Sequence, residues 1–213
     1  MGNPITKSKN SDHHSQNGSS TSKNGSKLPE FLLNMASILE RKIQTNEKML
    51  RRSRTKERVT IYHGTRPPTL SIRQYLSRVF EYSNCSPSCF VVGYIYMEKF
   101  IQQSGCYVTT LNVHRILLAC VLVAVKFLED ECFNNAYFAK IGGVSTAEIN
   151  SLEIKLLLAL NYRIYVSPDT FHHYCAMLAS AAENEGPGPA RTIMQLVWSE
   201  REPVKQRPSK TRR

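Results

Sequence analysis

The sequence predicts an all-α fold: a single helical domain whose five core helices wrap a buried third one, with an N-terminal helix ahead of them and disordered tails at both ends. Residues 116–125 are ten consecutive apolar positions closed by Lys126. A helix apolar on every side must be wrapped by other helices, and this one is too short for a bilayer, which takes about 20 apolar residues. Helix caps and breakers punctuate the chain at short intervals, and little of it alternates with the period of two that strands need. With 41% hydrophobic residues in 213, the chain can bury one good core.

Each element has its own signal. Pro29 opens the N-terminal helix, in which Leu32, Leu33, Ala36, Leu39 and Ile43 recur at helical spacing. Gly64, Pro67 and Pro68 then break the pattern. Ser71 and Gln74 form a capping box for a helix with Ile72, Tyr75, Leu76, Val79 and Phe80 on one face. Ser86 and Pro87 open the next, whose apolar set is Phe90, Val91, Tyr94, Ile95, Met97 and Ile101 and which ends near Gly105. Asn112 is placed to cap the central helix, which ends at Leu128. Gly142 and Gly143 make a turn, and Ser145 with Glu148 is a second capping box for a helix to about Leu160. Ser167, Pro168 and Asp169 start the last helix, through about Ala182.

The domain therefore spans residues 28–182, with its core at about 69–182. Residues 1–27 are Ser, Asn, Gly and Lys with almost nothing to bury, the composition of a disordered tail. Residues 183–213 read as a Gly-Pro linker, a short apolar stretch at 193–198 and a basic tail. The net charge of +11 is uneven: residues 31–68 hold nine basic against three acidic side chains, while residues 69–182 hold eight of each. A neutral core disfavours nucleic-acid binding by the fold itself, although the arms can attract polyanions.

Six cysteines with no secretory signal ahead of them read as reduced thiols in cytosol or nucleus. The pair Cys85 and Cys89 and the run His172, His173 and Cys175 lack usual zinc spacing, so no metal and no cofactor are expected. Residues 51–56 and 210–213 are short basic runs that serve nuclear import or merely solvate the arms, which predicts nucleus and cytoplasm as the location. Gly2, with Thr6 four residues on, fits the N-myristoylation pattern, so a membrane is a partner only if Gly2 is acylated. Lys126 is where the buried rod meets the surface. A cation at a helix C-terminus is either a favourable end-charge or a contact for another molecule.

Residues 124–143, AVKFLEDECFNNAYFAKIGG, followed by VSTAEINSLEIKLLLALNYRIYVSPDTFHHY through Tyr174, resemble the cyclin box. HGTRPPTLSIRQYL, SNCSPSCFVVGYIYMEKF and LNVHRILLACVLVAVKFLED extend the likeness from about Leu28 to Ala182. It is closest to the plant P-type (U-type) cyclins and to the phosphate-signalling cyclins of fungi. The resemblance implies a non-catalytic activator of a cyclin-dependent Ser/Thr kinase (an A-type kinase if the chain is from a plant), in cell-cycle or nutrient (phosphate) signalling. It implies that Lys126 and Glu153 hydrogen-bond backbone groups around the kinase's mobile helix, with Phe127, Leu157, Tyr162 and Ile164 as the apolar residues beside them. Glu129, Asp130 and Glu131 are candidates to meet a basic activation segment of the kinase. The first-helix docking patch of mitotic cyclins is replaced by SIRQYLSRVFEY, and no destruction box or Lys-Glu-Asn degron stands in the N-terminal tail.

Nothing in the sequence supports an enzyme: it has no phosphate-cradling Gly loop, no Gly-x-Ser-x-Gly and no converging acid, base and nucleophile. The alternative is a helical adaptor in transcription whose basic arms bind nucleic acid, which salt-sensitive DNA binding would reveal.

Overall fold

A computed structural model describes residues 28–53, 58–131 and 133–180. The predicted tails, Gly2, the basic tail and residues 54–56 of the basic run at 51–56 lie outside those residues, as do Cys132 and the last two residues of the predicted domain. The described residues contain seven helices and no strand: α1 (Glu30–Ser53), α2 (Ile72–Ser83), α3 (Pro87–Ser104), α4 (Val113–Leu128), α5 (Asn135–Gly142), α6 (Thr146–Ala159) and α7 (Pro168–Ser180).

The apolar rod is the centre, as its composition requires. Every residue from 116 to 125 in α4 is buried, and α3, α6, α5 and α2 all pack on that helix. A close crossing of backbones is made by Gly93 of α3. A Cβ at this position would sit 3.2 Å from Cα, N and Cγ2 of Val121, so the two backbones approach as closely as only glycine allows. Glycine costs a helix roughly 1 kcal/mol against alanine, and here that cost is offset by close packing.

Outside this pair, polar side chains fix the order of the helices. The buried face of α1 is Phe31, Leu32, Met35, Ala36, Leu39 and Ile43, with Leu33 only half-buried. Asn34 donates to the Leu178 carbonyl of α7 at 2.9 Å, and Lys42 pairs with Glu98 of α3 at 2.7 Å. Asn46 donates to the Val108 carbonyl at 2.9 Å. Three anchors spaced along one face hold α1 against the core where apolar contact alone would let it slide.

Three expectations are corrected. The core has a sixth helix, α5, between the central helix and the Gly142 turn. Two turns are too short to show a period, and its start is set by Asn134, whose side chain accepts from the Tyr137 amide at 3.0 Å. Arg78 of α2 donates to the Ile141 carbonyl (2.8 Å) and the Lys140 carbonyl (3.2 Å), covering the C-terminal carbonyls of α5 with a cation. Second, Asn112 stands at the N-cap of α4, where its carbonyl accepts from the Ile116 amide at 3.0 Å, but its side chain does not cap the helix. Its Oδ1 accepts from the Thr109 amide at 2.9 Å and its Nδ2 donates to the Tyr107 carbonyl at 2.8 Å, so the buried amide closes the preceding loop instead. Third, the second capping box is half formed. Ser145 accepts from the Glu148 amide at 3.1 Å, but the Glu148 carboxylate turns to Arg115 of α4 because a cation is the stronger partner.

Gly93→Ala should destabilise the chain by about 1–3 kcal/mol in urea denaturation, because α3 and α4 must part to admit the methyl group. A variant of unchanged or greater stability would mean that the crossing tolerates a side chain.

His114 adds a pH dependence. Its ring packs edge-on to Tyr75 with centroids 4.7 Å apart, its Nε2 lies 3.0 Å from the Leu70 carbonyl, and its Nδ1 is buried without a partner. Burial holds the imidazole below its ordinary pKa, against the pull of the Leu70 carbonyl and with help from Arg115. The unfolded chain therefore binds a proton that the folded chain resists, and stability falls as pH drops below about 6.5. Melting temperature should decline on acidification through that window, and His114→Gln should flatten the decline.

Candidate functional site

The last turn of α4 delivers Lys126 to the surface and the middle of α6 delivers Glu153 beside it. Lys126 Nζ lies 2.7 Å from Glu153 Oε1 and 2.9 Å from Oε2. The lysine side chain is 37% exposed and the glutamate 13%. Two residues 27 apart in sequence meet because α4 and α6 pack directly, with Arg115 and Glu148 linking the first turns of the same two helices.

A third partner comes from α5. Asn135, its first residue, donates to Glu153 Oε2 at 2.7 Å and stands 2.7 Å from Asn150 Oδ1. Glu153 is thus held by a cation and an amide on two different helices, which fixes its carboxylate before any partner arrives. Neither Asn135 nor Asn150 was legible as a site residue. The Asn134-Asn135 pair signals a helix start, but nothing local tells which amide turns inward.

Around this pair lies an apolar surface. Phe127, Ile154, Leu158, Tyr162 and Tyr165 are exposed, and Leu157 and Ile164 are half-buried. More than half of the large apolar side chains left exposed among the described residues stand on the end of α4, the α4–α5 connection, α6 and the segment after it. Scattered exposed apolar residues need no explanation, but their concentration on a few packed elements marks a candidate interaction surface. All six residues predicted for the contact, Lys126, Phe127, Glu153, Leu157, Tyr162 and Ile164, fall on these elements.

The backbone after α6 holds this surface still. Asn161 donates to the Leu158 carbonyl (3.0 Å) and Tyr162 to the Leu157 carbonyl (2.9 Å), the paired bonds of a Schellman end. Asn161 and Tyr162 have φ of 50° and 56°. Asparagine takes the left-handed region at little cost, whereas a tyrosine there is strained. Tyr96 then anchors the Ile164 carbonyl at 2.6 Å and ties the segment to α3.

Of the three acids after the central helix, Glu129 is engaged inside the fold. Its Oε1 accepts from the Ser86 amide at the start of α3 (3.1 Å) and from the Cys89 thiol (3.2 Å). Burial alone would raise its pKa, but the bonds from Ser86 and Cys89 outweigh it and hold the carboxyl below the ordinary range. Asp130 and Glu131 remain exposed.

Chemically, the face offers ammonium donors, a fixed carboxylate acceptor and apolar area: the means to bind a surface. Among the described residues no cluster of His, Cys, Asp and Glu is arranged to hold a metal ion, and no helix is long and apolar enough to cross a membrane.

The cyclin family profile matches residues 4–164. The chain is 48% identical over 160 residues to Cyclin-P3-1 of Oryza sativa subsp. japonica, covering 75% of this chain and 68% of that protein. It is 43% identical over 156 residues to Cyclin-U4-1 of Arabidopsis thaliana, covering 73% and 77%, and 44% identical over 154 residues to Cyclin-U3-1 of the same plant, covering 71% and 69%. The likeness read from residues 124–174 thus finds its counterparts among P-type and U-type proteins.

In the isolated chain the pair positions more than it stabilises. Because Lys126 is more than a third exposed, a double-mutant cycle with Lys126→Ala and Glu153→Ala should give a coupling of at most about 1 kcal/mol, and the double variant should melt close to wild type. A much larger coupling would make the pair a structural element of the core.

Proposed function

The chain belongs to the cyclin family, and from that premise we propose that it is the non-catalytic regulatory subunit of a cyclin-dependent Ser/Thr kinase, acting in cell-cycle or nutrient (phosphate) signalling. The observation that carries this reading is the Lys126–Glu153 pair, preset at 2.7 Å in the middle of an exposed apolar face.

The physical logic is differential binding. Lys126 can offer further N–H donors to a carbonyl, and the Glu153 carboxylate has lone pairs left for an amide. Together they suit the backbone groups at the end of a partner helix, while Phe127, Leu157, Tyr162 and Ile164 supply the apolar area around them. A face that binds one placement of the kinase's mobile helix better than another shifts the kinase toward that placement, and so toward the geometry in which its Lys-Glu ion pair and metal site are complete. Asp130 and Glu131 are the acids that remain free to meet a basic activation segment, Glu129 being bound to α3. Since the relatives named above come from two plants, we take an A-type plant kinase as the partner. The location follows the kinase, in nucleus and cytoplasm, and membrane attachment enters only if Gly2 is acylated.

Lys126→Ala with Glu153→Ala decides between activator and adaptor. Charge-assisted bonds are worth roughly 1.5–3 kcal/mol each, so losing both should weaken kinase binding about a hundredfold or more while helical content is kept. Kinase pull-down and the activity it confers should collapse together. A folded double variant that binds and activates as well as wild type sinks the assignment of these residues, and salt-sensitive DNA binding with no kinase recovered sinks the activator reading itself.

A further inference from the structure

A groove of about 490 Å³ lies between the start of α1 and the outer face of α2. Its apolar walls are Leu28, Leu33, Leu70 and Tyr82, and the exposed Arg73 and Glu81 also line it. Leu33 belongs to the apolar set that the sequence assigns to α1, yet it is only half-buried, and Tyr82 is 52% exposed. Apolar side chains gathered in a concavity and left in water mark a place for another apolar segment.

The chain itself supplies one. Ile193, Met194, Leu196, Val197 and Trp198 form an apolar run in a largely polar tail, too short to make a core of its own. At helical spacing Ile193 pairs with Val197 and Met194 with Trp198, while Gln195 and Ser199 fall on the opposite side. The point at which the fold releases this tail favours the α1–α2 groove. Asn34, next to Leu33, holds the Leu178 carbonyl, and α7 ends two residues later at Ser180. Residues 181–192 then lead to Ile193, and a linker of that length has a root-mean-square span of roughly 20 Å. Tethering at such a span gives an effective concentration on the order of mM, so a modest contact keeps the site filled. The Lys126–Glu153 face lies toward the other end of α7, whose 13 residues carry the chain about 20 Å away from the segment holding Tyr165. Residues 1–27 reach the same groove through Leu28 but have almost nothing to bury. Charge gives the tail a direction. In helical form Arg191 and Glu200 bracket the apolar run about 14 Å apart, and Glu81 and Arg73 stand about 12 Å apart along α2.

We propose that residues 191–200 dock as a helix in the α1–α2 groove of their own chain, antiparallel to α2, with Arg191 toward Glu81 and Glu200 toward Arg73. Trp198 then sits beside Leu70 and Ile193 beside Tyr82. The tail so placed covers the half-buried side of α1 and leaves the Lys126–Glu153 face open, and the inference stands or falls independently of the kinase reading.

Trp198 is the only tryptophan in the chain and so reports on its own segment. In the full chain its fluorescence should be blue-shifted from that of a free peptide of residues 183–213, with acrylamide quenching several-fold weaker, at every protein concentration. Leu33→Asp, at a half-buried site, should return both readings to the peptide's values while helical content is kept. Tyr82→Ser, at an exposed site, makes the same test without touching α1. Glu81→Arg should raise the quenching about twofold, and Arg191→Glu added to it should lower it again. A water-exposed Trp198 in the full chain overturns the docking. Shielding untouched by both groove variants overturns it too, and its loss on Phe127→Asp would then put the tail on the Lys126–Glu153 face. Shielding that appears only as concentration rises assigns the groove to a second copy and overturns the internal contact. A charge reversal that brings no recovery overturns the orientation.

Discussion

Burial of α4 on every side is the constraint on which the rest of the structure depends. A helix without a polar face cannot lie on a surface, so four other helices must surround it. Their number and spacing follow from its composition. Ala119, Cys120 and Ala124 give it a slender profile, and Gly93 lets α3 come against Val121 at backbone distance. The rod also fixes where the surface begins. Its apolar run stops at Val125, so Lys126 and Phe127 are the first residues of its last turn to be exposed.

Polar contacts then decide the arrangement that apolar burial leaves open. Hydrophobic packing is non-directional and would tolerate small slides and rotations of the outer helices. Arg78 on the end of α5, Arg115 on Glu148 and Glu129 on the start of α3 each join two elements at a helix terminus, where unsatisfied amides or carbonyls, or the first-turn carboxylate of α6, are waiting. None is worth much alone. Their effect is positional: α5 and α6 are held so that Asn135 and Lys126 reach the same carboxylate.

The candidate face shows the opposite economy. Tyr162 is held in a left-handed backbone conformation, and large apolar side chains remain in water beside it. Both features cost stability in the isolated chain, and both are what a surface kept ready for a partner requires. Glu153, nearly buried and held twice, has already lost the side-chain freedom that binding would otherwise remove.

The sequence by itself determined the helical class, six of the seven helices, the burial of residues 116–125 and the cap at Ser71, because each depends on local periodicity or on contacts within a few residues. The family likeness further singled out Lys126 and Glu153. It did not determine α5, whose two turns carry no readable period, nor the use of Asn112, Glu129 and Glu148, each of which looked like a local or outward-facing group and proved to serve another element. Only the tertiary structure decided those. A polar side chain takes the strongest partner within reach, and which donors and acceptors are within reach is set by how distant helices pack around α4.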